Sequence, residues 1–577
     1  MHTTIVRNGT YYDGTGAPGR IADVLIQNQR VQGVFDKAPE IEGAREIDAS
    51  GKWVTPGFLD IHTHYDAEIE VMPGLEESIR HGTTTVVMGN CSISAALGKD
   101  EDIVDLFCRV ENIPAQVLTE WIKDKISWNN LAEYYEHLES LPMGPNVSSF
   151  IGHSNIRIAA MGLERSFKQP KANKTELKAM QNILAEAMDA GYLGMSIDML
   201  PFHRWAGIFT PEYKGASVPS QQAAVGEYKK LANVLRKYNR VLQATPNALD
   251  KMSGIHLLSM SSGIFRKPLK TTVVAAMDLK SDENIYKLVL ALSSLGKKFL
   301  NADMRFQALS MPFLNYGEGP ITPLFEEFPS MVHVLGSTRE ERHEAFGDPK
   351  FRSWFTEDWN HKTTSVFPRL LKEMTVTGAP DNQLVGHTFQ DLADKKGVDG
   401  LEYLMDLIRE YDTDLKWKCI AANHREEQRI QLLANDHTIP GFNDSGAHNV
   451  NMAFHDGALQ TLRQAQNHPD QLPIEKAIYR LTSLPAEWLG LDAGSIKPGD
   501  RADLVVLDPK KLSTNLHDEP IEDYHPSLKG ACRFVKRSDG VINHVFINGK
   551  EAFSETDGFA ADLGQNAFGR LLRSQHN

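Results

Sequence analysis

Cysteine is scarce: the chain has four, Cys91, Cys108, Cys419 and Cys532, with no CxxC pair among them. That spacing excludes a disulfide framework and fits a reducing compartment. No run of about 18 apolar residues occurs, so no membrane-spanning helix and no membrane partner is expected. The opening stretch MHTTIVRNGTYYDG lacks the basic start and apolar run of a secretion signal, and the expected location is the cytoplasm. Positive charge is also short. Lys and Arg number 61 against 75 Asp and Glu, a net charge of −14, which argues against a nucleic-acid partner. Phosphate contacts need clustered cations. An anionic small-molecule substrate stays compatible, because the charge of a site can differ from that of the chain.

What is present is ordinary globular composition, 41% apolar and 24% charged over 577 residues, enough to bury a large core. The N-terminus reads as short strands punctuated by Asn-Gly and Asp-Gly breakers, in TTIVRNGTYYDGTG, IADVLIQNQRVQGVF and AREIDASGKWVTP. The C-terminal GSIKPGDRADLVVLDP and GVINHVFINGKEAF share that texture. The two halves predict a small β-sandwich assembled from both chain ends.

Between them, eight short apolar runs read as buried parallel strands, most followed by helical segments: 57–65, 83–90, 146–154, 192–200, 240–246, 270–278, 298–305 and 438–446. Eight such strands match an α/β chain folded as a (β/α)8 barrel, with a doubly wound open sheet as the rival. The long gap before the eighth predicts an insertion at about 306–437, serving as a lid or an oligomer contact. The domain reading is 1–55 and 485–577 for the sandwich and tail, and 56–484 for the barrel. The segment DLGQNAFGRLLR near the C-terminus could dock on a second copy, making a homo-oligomer.

Three signals fall at strand ends. His62 and His64 form an HxH pair, and residues i and i+2 of a strand share a face, so two imidazoles converge where Zn²⁺ could bind. A pair of hydrogen-bonded core histidines would look the same. Cys91 ends the second strand and could add a thiolate, or be a buried free thiol. Asp444, in GFNDSGAH, ends the eighth strand, which neighbours the first in a closed barrel. It could bind metal and take a proton from water, or simply serve an Asp-Ser-Gly turn.

The text PGFLDIHTHYD, HGTTTVVMGNCSIS, FIGHSNIRIAAMG, AGYLGMSIDM, NADMRF, GFNDSGAH and LTSLPAEWLGLDAGSIKPGDRADLVVLDP resembles the amidohydrolase superfamily, most closely its N-acyl-D-amino-acid deacylase (D-aminoacylase) branch, along nearly the whole chain. The resemblance implies a (β/α)8 barrel with a sandwich built from both termini. It implies that His62, His64 and Cys91 are metal ligands and that Asp444 is the catalytic acid/base that also touches the metal. The chain departs from the branch in three places. The branch carries His at the ends of strands 5 and 6, where this chain has VLQATPNA and TTVVAAMDLK, and Tyr-Pro-Tyr on strand 7, where it has Met304-Arg305-Phe306-Gln307.

Three readings follow: one Zn²⁺ rather than two, on His62, His64, Cys91 and Asp444; a metal-free binding relative; or a hydrolase of another amide, cyclic amide or ester. The first is preferred, with N-acyl-D-amino acid as the first substrate class. Gln243, or loop residues His203 and His256, could add a metal contact. Arg305 is the candidate fork for a substrate carboxylate, with Gln243 and His153 as further substrate contacts. A surface ion pair for Arg305 and plain packing for His153 and Arg157 are the bland alternatives.

Overall fold

The computed structural model describes residues 3–250, 252–361 and 365–575. The fold is mixed α/β. One nine-stranded sheet draws on both chain ends: Thr3–Tyr11, Arg20–Gln27, Arg30–Phe35, Arg45–Asp48 and Trp53–Pro56 join Leu504–Leu507, Ile542–Ile547, Lys550–Ser554 and Gly558–Phe559. The seam is antiparallel, with Trp53 opposite Leu507 and Pro56 opposite Leu504. Leu504–Leu507 is apolar throughout because both of its faces are covered. Leu504 and Val506 enter one core with Val6, Val24 and Val54, while Val505 and Leu507 enter the main core.

The strand reading of the central region holds in outline. Phe58–Asp60, Thr83–Met88 and Asn146–Ser149 pair in parallel. After a one-residue break, Ile151–Gly152 leads on through Gly194–Asp198, Val241–Thr245, Lys270–Ala276 and Asp303–Ala308 to Thr438–Pro440, every neighbour parallel. Phe442–Ser445 then pairs in parallel with His62–Thr63, so the last strand meets the first. Gly441 makes the joint between the two halves of that last strand. Its φ is +100°, and a Cβ there would lie 2.8 Å from the Leu59 carbonyl oxygen.

The seventh strand is displaced from expectation. Residues 298–300 belong to the helix Ile285–Leu300, which stops at Asn301 in the left-handed conformation (φ 47°), and the strand begins only at Asp303. The insertion follows it. Phe313–Glu318, Lys416–Ala422 and Thr375–Gly378 make a three-stranded antiparallel sheet. The helices Arg339–Gly347, Pro349–Asn360 and Gly400–Tyr411 belong to the same region. Phe325, Phe328, Phe346, Phe355 and Trp417 give it a separate aromatic core.

The segment DLGQNAFGRLLR is not free for a second copy. The Leu572 N–H donates to the Val147 carbonyl at 2.7 Å, the Val147 N–H donates to Arg570, and Phe568, Leu571 and Leu572 are buried against their own chain. Its apolar residues serve the third parallel strand of the same molecule. Among the described residues no helix is long and apolar enough to cross a membrane.

Candidate metal centre

His62, His64 and Cys91 meet. One donor atom from each lies within 4.8 Å of the other two, and all three residues are buried. His62 sits on its short strand, and the His64 N–H continues the pairing to the Ser445 carbonyl at 2.8 Å. Cys91 follows the second parallel strand in a turn where Gly89, Cys91 and Ser92 all have positive φ. A Cβ on Gly89 would lie 2.1 Å from the Phe150 carbonyl oxygen, so the turn needs glycine there. Asp444 (φ 52°) lies where the pairing with His62–Thr63 slips register, and this bulge re-aims its side chain. Its Oδ1 is 3.6 Å from His62 Nε2 and 3.3 Å from His64 Nε2.

Each donor is held by a partner with a defined role. His62 Nδ1 donates to Gln307 Oε1 at 2.7 Å, and Gln307 is oriented by its own amide donating to Thr272 Oγ1 at 3.2 Å. An oxygen acceptor at Nδ1 leaves the His62 Nε2 lone pair facing Cys91 Sγ at 3.3 Å. His64 Nδ1 faces Glu111 Oε1 at 3.2 Å, a carboxylate behind the imidazole. The Thr245 hydroxyl donates to Cys91 Sγ at 3.2 Å, and the Cys91 N–H donates to Gln243 Oε1 at 2.9 Å. Asp60 accepts from the His62 N–H and from the Ser445 hydroxyl, tying the first strand to the last.

Burial lowers His62 to about 3, which keeps it a neutral ligand. Burial opposes charge on His64 too, but Glu111 and Asp444 hold its pKa well above the usual range. Burial also works against the Asp444 carboxylate, yet His64 and His62 hold it below the ordinary range. The Cys91 thiol is pushed up to about 11 by burial. The His64 imidazole acts the other way and favours the thiolate. Two imidazoles, a thiol and a carboxylate form a donor set of the kind that suits a borderline-soft divalent ion.

Other expected residues are placed differently. Gln243 Oε1 accepts from the Cys91 N–H, its Nε2 is buried without a hydrogen-bond partner, and it does not line the adjoining cavity. Arg305 shares a strand face with Gln307 but lies one layer nearer the strand start. It donates to the Asp436 carbonyl at 3.1 Å and stacks on Trp488, away from the site. Because the strand begins at Asp303 rather than 298, Arg305 is not at its end. His153 is fully buried, with Nδ1 on Ser220 Oγ and Nε2 on Glu227 Oε1, both at 3.0 Å, and Arg157 pairs with the same Glu227. Neither lines the cavity beside Asp444. His203 does line the cavity, its Nδ1 held by Asp198 Oδ2 at 2.8 Å, whereas His256 is absent from the wall.

Sequence reasoning missed Glu111, Thr245 and His448. His448 lies four residues after Asp444, with Nε2 3.9 Å from Asp444 Oδ2, and burial lowers it to about 4. It stands inside the quoted GFNDSGAH motif, so the text held that signal.

Two profiles of the amidohydrolase family match residues 45–243 and 406–552. A D-aminoacylase from Alcaligenes xylosoxydans xylosoxydans is 33% identical over 586 residues, covering 98% of this chain and 97% of the relative. The chain belongs to the amidohydrolase family. Within it, this amidohydrolase stands on the D-aminoacylase-like branch. An uncharacterised Mycobacterium tuberculosis protein is 36% identical, over 99% of this chain and 96% of its own. Among solved structures, a D-aminoacylase described as having a binuclear metal centre has a TM-score of 0.62 at 22% identity, covering 99% of both chains. A Bordetella bronchiseptica N-acyl-D-glutamate deacylase, complexed with zinc and a phosphonate inhibitor, has 0.63 at 21%, with the same coverage. The unmatched interval of this amidohydrolase, 244–405, holds its sixth and seventh parallel strands and most of the insertion. Thr245, on the Cys91 sulfur, ends the fifth parallel strand, and Val274 and Ala275 of the sixth lie on the cavity wall.

Proposed function

We propose that the protein is a metal-dependent hydrolase of a non-peptide carbon–nitrogen bond in a small-molecule amide. The convergence of His62, His64 and Cys91 donors within 4.8 Å carries this reading. Asp444 Oδ1 completes four donors, enough for one tetrahedral ion. We take the ion to be a single Zn²⁺, as the zinc in the related N-acyl-D-glutamate deacylase suggests. N-acyl-D-amino acids, the class named for the relatives, are the first substrates to test.

Bound there, such an ion would polarise the amide carbonyl and lower the pKa of the attacking water. The chain's own groups do the rest. Asp444 takes the proton of the attacking water at its carboxylate and passes it to the leaving nitrogen. Gln307 fixes the His62 tautomer, Glu111 orients His64, and Thr245 stabilises negative charge on Cys91 sulfur. The ring of parallel pairings is read as a closed (β/α)8 barrel over 56–484, and the two-ended sheet as the sandwich of 1–55 and 485–577. The four free cysteines fit a cytoplasmic location.

Metal analysis of the purified protein tests the reading, with one equivalent expected. Content below about a tenth of an equivalent would remove it, given the affinity such a ligand set confers.

A further inference from the structure

Beside Asp444 and His448 opens a cavity of about 510 Å³, within the usual range for a drug-sized ligand. Its wall is largely apolar. Leu288 and Leu292 come from the helix Ile285–Leu300, Phe313 and Phe367 from the insertion, and Phe202 and Met277 from the loops after the fourth and sixth parallel strands. The charge-bearing side chains on this wall are Arg109, Asp250, Glu326 and Asp444, with the imidazoles of His203 and His448. No lysine lines it among the described residues.

The single guanidinium is already occupied. Arg109 Nε donates to Glu326 Oε1 at 2.9 Å and Nη2 to Glu326 Oε2 at 2.8 Å, a bidentate pair. Arg109 Nη1 is buried and has no partner, so the neutralised pair keeps one hydrogen-bond donor without a net charge to offer. His203 is likewise balanced by Asp198. One divalent ion at the centre would be matched by the Cys91 thiolate and Asp444.

Resting on the hydrolase reading, we infer that this cavity selects an uncharged amide with a long apolar acyl chain, and that Glu326 sets the selectivity by silencing Arg109. The acyl chain lies along Leu288, Leu292 and Phe313. Among the described residues of the wall, a substrate carboxylate would find no cation that is not already matched by an acidic partner.

The test is calorimetry on the protein as purified, with ketone isosteres (CH2 for the amide NH) of N-decanoylglycinamide and N-decanoylglycine, and their acetyl counterparts. The neutral decanoyl ligand should bind at least tenfold tighter than its carboxylate twin. Affinity should rise up to about fourfold per methylene buried. Glu326→Gln should shrink the neutral-to-carboxylate ratio at least tenfold. Leu288→Trp should weaken the decanoyl ligand at least tenfold while sparing the acetyl one, with unchanged melting temperature as the check on folding. A carboxylate bound as tightly as its twin by the native protein, no gain with chain length, or no binding of the neutral ligand overturns the inference. Turnover of N-decanoylglycinamide and N-decanoylglycine separates the two claims. Binding of the neutral isostere without hydrolysis of its amide counts against the hydrolase reading alone. Hydrolysis with the carboxylate preferred counts against the inference alone.

Discussion

At Asp444 two duties coincide, and a substitution can separate them. Asp444→Asn keeps an oxygen ligand but loses the base, so bound metal should persist while turnover falls by about 10²–10⁴-fold. Mass spectrometry of metal content beside an activity assay checks both. Undiminished turnover would remove the proton-transfer role. Glu111→Gln probes the carboxylate behind His64. It should weaken metal affinity by about 10–100-fold, measured by chelator competition, with the fold intact by circular dichroism. How much of this site was legible follows from its chemistry. His62 and His64 declare themselves because a two-residue period puts them on one face. Gln307 and Gln243 carry no such mark, since an amide acquires its role only from the register of neighbouring strands. Glu111 caps the end of the helix Asp100–Val110, where an acidic residue ordinarily faces solvent and nothing in the text marks it as buried. Arg305 misled because a strand start misplaced by five residues turns a residue near the bottom of a strand into one at its tip.

At the scale of elements, two segments invite measurement. Gly441 joins Thr438–Pro440 to Phe442–Ser445 at a φ that side chains avoid, close against Leu59. Gly441→Ala should cost about 1–3 kcal/mol in denaturant unfolding and, by shifting Asp444, lower activity further than stability alone explains. An unchanged midpoint would mean the joint tolerates rearrangement. In the insertion, burial raises Glu327 to about 7, and its Oε2 lacks a hydrogen-bond partner. An acid whose pKa rises on folding keeps a proton that the unfolded chain has given up. Its contribution is therefore full below about pH 4.5 and lost as pH rises through about 7, on the order of 3 kcal/mol in all. Glu327→Gln should flatten that part of the stability–pH curve, followed by thermal melts between pH 4.5 and 8. The insertion was legible as a gap between strands but not in its architecture. Its aromatic core is assembled from distant helices and strands, which leave no shared period in the text.

At the scale of the whole molecule, the parallel strands were legible because each is an apolar run closed by breakers. The seam between the chain ends was legible only as a shared texture, because pairing between Trp53 and Leu507 is a long-range event. Removing residues 541–577 deletes Ile542–Ile547 and Lys550–Ser554, uncovers the edge of Leu504–Leu507, and strips Leu571 and Leu572 from the third parallel strand. The shortened chain should be insoluble or aggregated by size-exclusion chromatography. A monodisperse, metal-binding product would show that the central region stands without the seam.

That seam also sets a timetable on the ribosome. Trp53–Pro56 emerges early, and its partner Leu504–Leu507 is not yet made. At about 5–20 residues per second the wait lasts roughly 20–90 s. For that interval the nascent N-terminal strands keep an unpaired β edge open to non-native pairing.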